Sequence, residues 1–422
     1  MSSKADVTSV GNGGKRALTP RLRFPGFNAP WANEPLAKVL FEHKLKNTGS
    51  RDVFSVSMES GVVNQIEHLG RSYAASDTTN YNVGRRFDVV YTKSPLKAFP
   101  YGIVKQCKFD GEVALSPLYG VFTPTNPYVG LMVEAYFESP NRSQAFLAPL
   151  CQKGAKNTLQ IANATFLSGR LPLPIETDEQ EKIAECLSSV DELIAVQARK
   201  VEALKTHKKG LMQQLFPREG ETEPRLRFPE FQGMREWQTT TLGNYVAIGS
   251  GRSPSGIILR SAGGVPFVKV EDLNNCTKYQ ITAREFADDP GGMVPTNSII
   301  FPKRGAAIQL NKIRIAGVEI VIDTNMMALT AQGGLTAEFL YYFLENVGLA
   351  HIADTSTIPQ INNKHIIPFP LALPTPLEQQ RIASCLACLD DLIASKLQYL
   401  DSLRSHMEGL MQQLFPSMEE AL

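Results

Sequence analysis

The 422-residue chain predicts an α+β fold made of two tandem-repeated, mostly-strand globular units, each followed by a long helix. Three observations carry this reading. First, Glu179–Ala195 is a near-copy of Glu378–Ala394, Gly210-Leu-Met-Gln-Gln-Leu-Phe-Pro217 returns unchanged as Gly409 to Pro416, and Pro20-Arg-Leu-Arg-Phe-Pro-Gly-Phe27 returns as Pro224-Arg-Leu-Arg-Phe-Pro-Glu-Phe231. The only tryptophans, Trp31 and Trp237, follow those two copies. A self-similar chain of this kind is a duplication, and it is read before anything else. Second, apolar residues inside both copies recur in alternating steps of four and three, the 3.5-residue seam of a helix packed in a coiled coil. Third, the stretches between the copied segments hardly match, and they consist of short β-branched runs broken by Gly, Pro and Asn, the pattern of strands and turns.

In chain order, residues 1–19 are small, polar and glycine-bearing (Gly11-Asn-Gly-Gly14) and predict a disordered tail. The first globular unit occupies 20–170, the first helical segment 171–217 and a linker 218–236. The second unit occupies 237–370, the second helical segment 371–416 and a short tail 417–422. Strands are expected at Phe87–Tyr91, Gly264–Val270, Ser298–Phe301 and Val318–Ile322, with one helix per unit at Val129–Glu138 and Thr336–Glu345. The first seam runs through Ile183, Leu187, Val190, Ile194, Val201, Leu204 and Leu211. The second runs through Ile382, Leu386, Leu389, Ile393, Leu400, Leu403 and Leu410. Gln197 and its counterpart Lys396 are polar seam positions, which either fix register or tolerate partial solvent. Thr177 with Gln180, and Thr375 with Glu378, predict capping boxes, and Pro217 and Pro416 stop the helices. One seam cannot satisfy itself: each helix pairs with the other or with a second protein's helix, in either orientation.

Composition bounds the function. A 43% hydrophobic and 20% charged chain is an ordinary globular composition. The net charge of +1 gives no global signature of a nucleic-acid binder, so any such role rests on local patches. Six scattered cysteines fit a reducing compartment. No apolar run reaches the ~18 residues of a membrane span, and a cytoplasmic location is expected.

Catalytic signatures are weak. There is no Gly-x-x-x-x-Gly-Lys-Ser/Thr loop for nucleotide phosphates, and Gly249-Ser-Gly251 is too short for a dinucleotide fingerprint. Asn126-Pro-Tyr128 partly matches the Asn-Pro-Pro-Tyr motif of amino-methyltransferases but lacks the second proline and a donor loop, so a surface turn is expected. Cys385 and Cys388 form a lone Cys-x-x-Cys on the second seam helix, with no second pair, and read as packing residues rather than zinc ligands. His207 and His406 are repeat equivalents that flank the seam. No cofactor and no metal are expected.

Basic patches point further. Lys93, Lys97, Lys105 and Lys108 fall in an acid-free stretch interleaved with Tyr91, Phe99 and Tyr101, with Arg85 and Arg86 just upstream. In the second unit Lys303, Arg304, Lys312 and Arg314 share an acid-free stretch with Gln309 and Asn311. Lysine and arginine grip phosphates, while Arg, Asn and Gln read base edges. A solvated charged face is the commoner fate of one such run, but two in comparable parts of both units favour DNA. The rival from another class is a coiled-coil scaffold whose globular units bind protein.

The frame of Leu171-Pro-Leu-Pro174, Glu179-Gln180 and Ile183, repeated as Leu371-Ala-Leu-Pro374, Glu378-Gln379 and Ile382 ahead of a heptad helix ending in Leu-Phe-Pro, resembles the specificity subunit of type I restriction-modification enzymes. Gly264-Val-Pro-Phe-Val-Lys-Val-Glu-Asp-Leu-Asn274 and Pro359-Gln-Ile-Asn362 resemble the start and end of that family's target-recognition domain. The resemblance covers residues 20–416, although the first unit lacks a clear Pro-Phe-x-Lys-x-x-Asp-Leu segment. It implies two target-recognition domains that each read half of a bipartite, asymmetric site in double-stranded DNA. It also implies an antiparallel coiled-coil spacer between them. About 35 helical residues span roughly 50 Å, more than one DNA turn of roughly 34 Å. Two copies of a methyltransferase subunit would dock on the spacer. Methyl transfer from S-adenosylmethionine and ATP-driven cleavage would belong to partner methyltransferase and restriction subunits.

Overall fold

A computed structural model describes residues 18–153, 159–288, 291–354 and 358–416. Most of the expected N-terminal tail and the tail at 417–422 lie outside the described residues. The chain forms two compact units, Met1–Val196 with Leu400–Leu422, and Gln197–Tyr399. Each unit therefore holds one strand-rich domain and a stretch of both long helices.

In the first unit the strands run β1 (Ala32–Pro35), β2 (Leu40–Phe41), β3 (Val53–Ser57), β4 (Gly61–Asn64), β5 (Asn82–Arg85), β6 (Val89–Thr92), β7 (Ile103–Gln106), β8 (Glu112–Leu115), β9 (Gly120–Pro124), β10 (Gln152–Lys153), β11 (Leu159–Gln160) and β12 (Arg170–Leu173). The helices are α1 (Gln65–Leu69), α2 (Pro127–Phe137), α3 (Pro140–Leu147), α4 (Asn163–Ser168) and the long α5 (Thr177–Leu215). One sheet has the order β2-β9-β6-β7 with antiparallel neighbours, and a second, β4-β3-β8-β5, contains the parallel pair β3 and β8. Val89, Val90, Tyr91 and Thr92 are all buried, so the apolar run of β6 reads as an inner strand covered on both faces. The run starts two residues later than expected because Phe87 turns through φ 75°.

Helix α2 lies across β6, β7 and β9. Its start corrects an expectation: Asn126-Pro-Tyr128 is no free surface turn. The Asn126 side chain accepts from Val129 N at 2.9 Å while Pro127 occupies the first turn, the usual chemistry of a helix N-terminus.

The second unit repeats this layout with different inserts. Its strands are β13 (Gln238–Thr241), β14 (Val246–Ser250), β15 (Leu259–Arg260), β16 (Val265–Val268), β17 (Tyr279–Gln280), β18 (Phe286–Ala287), β19 (Ile299–Pro302), β20 (Arg314–Ala316), β21 (Val321–Ile322), β22 (Met326–Ala331) and β23 (Pro370–Leu373). Its helices are α6 (Ala337–Val347), α7 (Leu349–Ile352), α8 (Asn363–Ile366) and the long α9 (Pro376–Leu414). The order β14-β22-β19-β20 matches β2-β9-β6-β7 in sense, with β17 added at the edge, and β16 pairs β21 in parallel as β3 pairs β8.

The two units part company after the parallel strand. Buried Asp272 accepts from Lys269 N at 2.8 Å and from Arg284 Nε at 2.7 Å, shaping a tight turn over Val270–Asn274. In the first unit β3 instead folds back as a hairpin onto β4. That is why the Pro-Phe-x-Lys-x-x-Asp-Leu segment has no counterpart there.

Each core takes the start of one long helix and the end of the other. The first unit packs Ile183, Leu187 and Val190 with Met407, Leu414 and Phe415, and Trp31 meets Phe415 edge-on at 6.0 Å. The second packs Ile382 and Leu386 with Met212, Leu215 and Phe216, and Trp237 meets Phe339 at 6.0 Å. Truncating a fully buried phenylalanine such as Phe415 costs about 3–5 kcal/mol, so the repeated Leu-Phe-Pro ends anchor the domains. Buried Arg142 of α3 donates to the carbonyls of Met411 (2.7 Å) and Gln412 (3.2 Å), satisfying the last turn of α9.

Along the helices Ile183, Leu187, Val190, Val201, Ile382, Leu386, Ile393 and Leu400 are buried, while Ile194, Leu204, Leu211, Leu389, Leu403 and Leu410 are half-buried. Gln197 donates to the Lys396 carbonyl at 3.0 Å within the second unit. The expected capping boxes do not form. Thr177 is already helical, and Thr375 accepts from Glu378 N only at 3.4 Å. Glu179, Gln180, Glu378 and Gln379 are engaged elsewhere.

Candidate nucleic-acid interface

The elements that hold each domain in place come from the repeated frame. In the first unit Arg23 grips Glu179 with two bonds of 2.7 and 2.8 Å, and Trp31 Nε1 adds a third at 3.3 Å to a carboxylate only 1% exposed. Gln180 donates to the Pro174 carbonyl at 2.8 Å and accepts from Asn126 at 3.0 Å, tying α5 to the start of α2. The second unit repeats the joint. Arg227 grips buried Glu378 at 2.8 and 2.9 Å, Gln379 donates to the Pro374 carbonyl at 3.0 Å, and Thr336 N donates to Gln379 at 2.8 Å. The hydrogen bonds to Glu179 and Glu378 hold the Arg23 and Arg227 guanidiniums above their usual pKa. Strand ribbons β1–β12 and β13–β23 close the two joints. Sequence reasoning quoted these residues but did not pair them. Their presence in both copies was the available signal.

Two basic pairs stand at matching places. Lys93 directly follows β6, with exposed Lys97 four residues on, and Lys303 directly follows the equivalent strand β19, with exposed Arg304 next to it. Among the described residues no carboxylate lies within ion-pair distance of these four cations. Burial pulls the Lys93 ammonium below its usual pKa. Burial, and then the neighbouring Arg304 charge, do the same to Lys303. Backbone bonds fix the second pair: Lys303 N donates to Asn325 O, Ile361 N donates to Lys303 O, and Gly305 N donates to Pro359 O. Gln309 is exposed on the same loop. Lys93 and Lys303 are thus partly desolvated cations, each close in sequence to an exposed one, and an incoming anion would favour their charged forms.

The remaining candidates divide. Arg85 and Arg86 are half exposed but answered by Glu112 (3.0 Å) and Asp110 (3.3 Å). Lys108 bridges Glu134 (3.5 Å) and Asp191 (3.4 Å), and Lys312 donates to Asn274 at 2.5 Å. Burial works against the Lys108 charge, but those two carboxylates outweigh it and raise its pKa.

Three residues are taken into the fold and leave the candidate surface. Lys105 is 4% exposed and paired with Glu138 and Glu134. Asn311 uses its amide on Glu345 O (3.2 Å) and Leu349 N (2.8 Å). Arg314 spends its guanidinium on the carbonyls of Cys276, Ile313 and Leu273 at 2.7–2.9 Å. An acid-free run in sequence says nothing about the carboxylates or backbone groups that the fold brings to a side chain, here Glu138 to Lys105 and main-chain groups to Asn311 and Arg314.

Cys385 is half-buried and Cys388 exposed on α9, and His207 and His406 are exposed. Among the described residues no cluster of His, Cys, Asp and Glu could hold a metal ion, and no helix is long and apolar enough to cross a membrane.

Comparisons with known proteins converge on one family. A family model described as the type I restriction modification DNA specificity domain matches residues 234–403. The putative type I restriction enzyme MjaX specificity subunit of Methanocaldococcus jannaschii is 25% identical over 296 residues, which is 68% of this chain and 67% of that protein. The MjaIX specificity subunit of the same organism is 26% identical over 172 residues, 38% of this chain and 40% of that one. The crystal structure of the type I restriction-modification S subunit from M. genitalium superposes with a TM-score of 0.56 at 16% identity, covering 95% of this chain and 100% of its own. A chain from a study of complex assembly and conformational transition of the type I R-M system gives 0.54 at 16% identity, covering 94% and 100%. At such identities the superpositions speak for the mixed helix-and-strand fold. Taken with the sequence matches, they make this chain similar to the specificity subunits of type I restriction-modification enzymes.

Proposed function

We propose that the chain reads the two halves of a bipartite, asymmetric DNA site, one half with each strand-rich domain. The observation that carries this is the two basic doublets, Lys93 with Lys97 and Lys303 with Arg304, which follow equivalent strands in the two units and have no ion-pair partner among the described residues. Phosphate contacts of this kind set the position of a protein on DNA, and nearby polar groups such as Gln309 then meet base edges. Matching strand orders support a tandem duplication that gave one frame two different reading surfaces.

In this reading α5 and α9 pair as an antiparallel coiled coil that spaces the half-sites. The run of buried seam residues and the bond from Gln197 to the Lys396 carbonyl support it. The spacer carries two copies of a methyltransferase subunit, and restriction subunits join that assembly; the catalytic work belongs to those partners. The test is single-molecule sequencing of the host's DNA methylation with and without this chain. Loss of one two-part adenine-methylation motif is expected on removing it. An unchanged methylome, together with no salt-sensitive DNA binding by the complex purified with its methyltransferase subunit, would overturn the reading in favour of a protein-binding scaffold.

A further inference from the structure

In the second unit α6 is fastened at both ends. Its start is tied to α9 through Thr336 N and Gln379. Its far end is tied to α5: Lys208 Nζ lies 2.9 Å from Glu345 of α6 and 2.7 Å from Asp390 of α9. The ammonium sits over the Tyr342 ring at 5.3 Å, and the Tyr342 hydroxyl donates to Asp390 at 2.7 Å while accepting from Lys278 at 3.0 Å. The Lys208 side chain is only 11% exposed, so solvent screens this network little. A charge buried this deeply is costly to desolvate and is held there by its partners. The first unit ties its α2 to α5 by a more exposed route, through Asn126 with Gln180 and through Lys108 between Glu134 and Asp191. Met407 occupies the place equivalent to Lys208, and Asp191, the counterpart of Asp390, is met by Lys108, whose side chain is 57% exposed.

We infer that Lys208 is a positioning residue that braces the second domain against both long helices and so holds the half-site spacing to a single length. The inference rests on the proposed reading of a two-part site. A domain fixed at one point can pivot, and pivoting by one base pair along the duplex needs only about 3.4 Å. A domain fixed at both ends of α6 cannot pivot without breaking a buried charge network.

The test uses the full chain in complex with its methyltransferase subunit. The substrate is a plasmid library carrying the two half-sites at every spacer length around the natural one, with adenine methylation read by sequencing. Wild type is expected to methylate one spacer length. Lys208→Met should also methylate the neighbouring lengths, lowering the preference for the natural spacer at least ten-fold with the bases of both half-sites unchanged. Lys208→Arg should restore it. A merely structural residue would lower methylation at all lengths together. Should Lys208→Met not fold, Glu345→Gln carries the same expectation, since it leaves the Lys208–Asp390 pair intact and loosens only the domain. A wild-type spacer preference in the folded variant, or equal loss at every length, overturns the inference. A wild-type complex that methylates no two-part motif overturns the underlying reading instead.

Discussion

Replacing Lys303 and Arg304 together by alanine should weaken DNA binding by a predictable, salt-dependent amount. Neither cation has a carboxylate partner among the described residues, so neither is spent on the fold, and both are free to displace counterions from a phosphate. For duplex DNA the logarithm of affinity falls with the logarithm of salt at about 0.9 per neutralised phosphate, so losing two contacts should flatten the slope by about 1.8. If counterion release contributes nothing near 1 M salt, the same term makes binding at about 0.15 M roughly thirty-fold weaker, or about 2 kcal/mol. The loss should be the same for cognate and unrelated sequences, because phosphate contacts position without specifying. Arg85 and Arg86, already answered by Glu112 and Asp110, should change the slope less. The assay is fluorescence anisotropy of a labelled duplex with the assembled complex across a salt series. A slope unchanged within error would refute the placement of this loop on the phosphate backbone.

Three further outcomes follow from the same geometry. Arg227→Ala leaves a carboxylate 1% exposed without its cation and should destabilise the second unit by about 3–5 kcal/mol; hydrogen exchange should localise the loss there, with Arg23→Ala doing the same to the first unit. Local desolvation, with the hydrogen bond to Glu338, pushes the half-exposed Tyr279 up to about 12, and burial holds Tyr91, Tyr341 and Tyr342 above the usual range. Each of these tyrosines is harder to ionise folded than unfolded, so its contribution to stability is whole below about pH 10 and is lost as pH climbs through the folded value. A late phenolate fraction should therefore appear together with unfolding. Ionisation of all twelve tyrosines in one early wave, before any loss of structure, would contradict the burial. Under the proposed reading, exchanging residues 31–170 for the equivalent domain of a type I specificity subunit should change one half of the methylated motif only, and a change in both halves would contradict modular reading.

The helices and the frame were legible because their signals are local and periodic. The 3.5-residue seam and the stop prolines at Pro217 and Pro416 need no knowledge of distant residues, and α5 and α9 end one residue before the Phe that precedes each proline. The strands Ser298–Phe301 and Gly264–Val270 were found to within a few residues for the same reason. The basic surface was only half legible. Lys105 and Arg314 lie in runs as free of acids as Lys97 and Arg304, and only the fold decides which cation meets Glu138 from α2 or a cage of carbonyls. The capping boxes failed because local rules assign Gln180 and Glu378 to their own helix ends, while Asn126 and Arg227 from far along the chain compete for them.

That competition also explains why the frame repeats while the inserts do not. Glu179 and Glu378 are each about 1% exposed, and a buried carboxylate that loses its arginine keeps the full cost of desolvation. Gln180 and Gln379 use both ends of their amides, a fit that neither glutamate nor lysine reproduces. Substitution at any of these positions is paid for immediately in stability. Loops such as 303–313 send Ile308 and Ile313 into the core but leave Gln309 exposed, as Lys97 is in the first unit, so Gln309 or Lys97 can change without disturbing the core beneath. A duplicated chain under these constraints keeps its joints and varies its loops. Lys208, present in one copy and replaced by Met407 in the other, breaks that rule inside the frame itself, as Gln197 and Lys396 do at the seam.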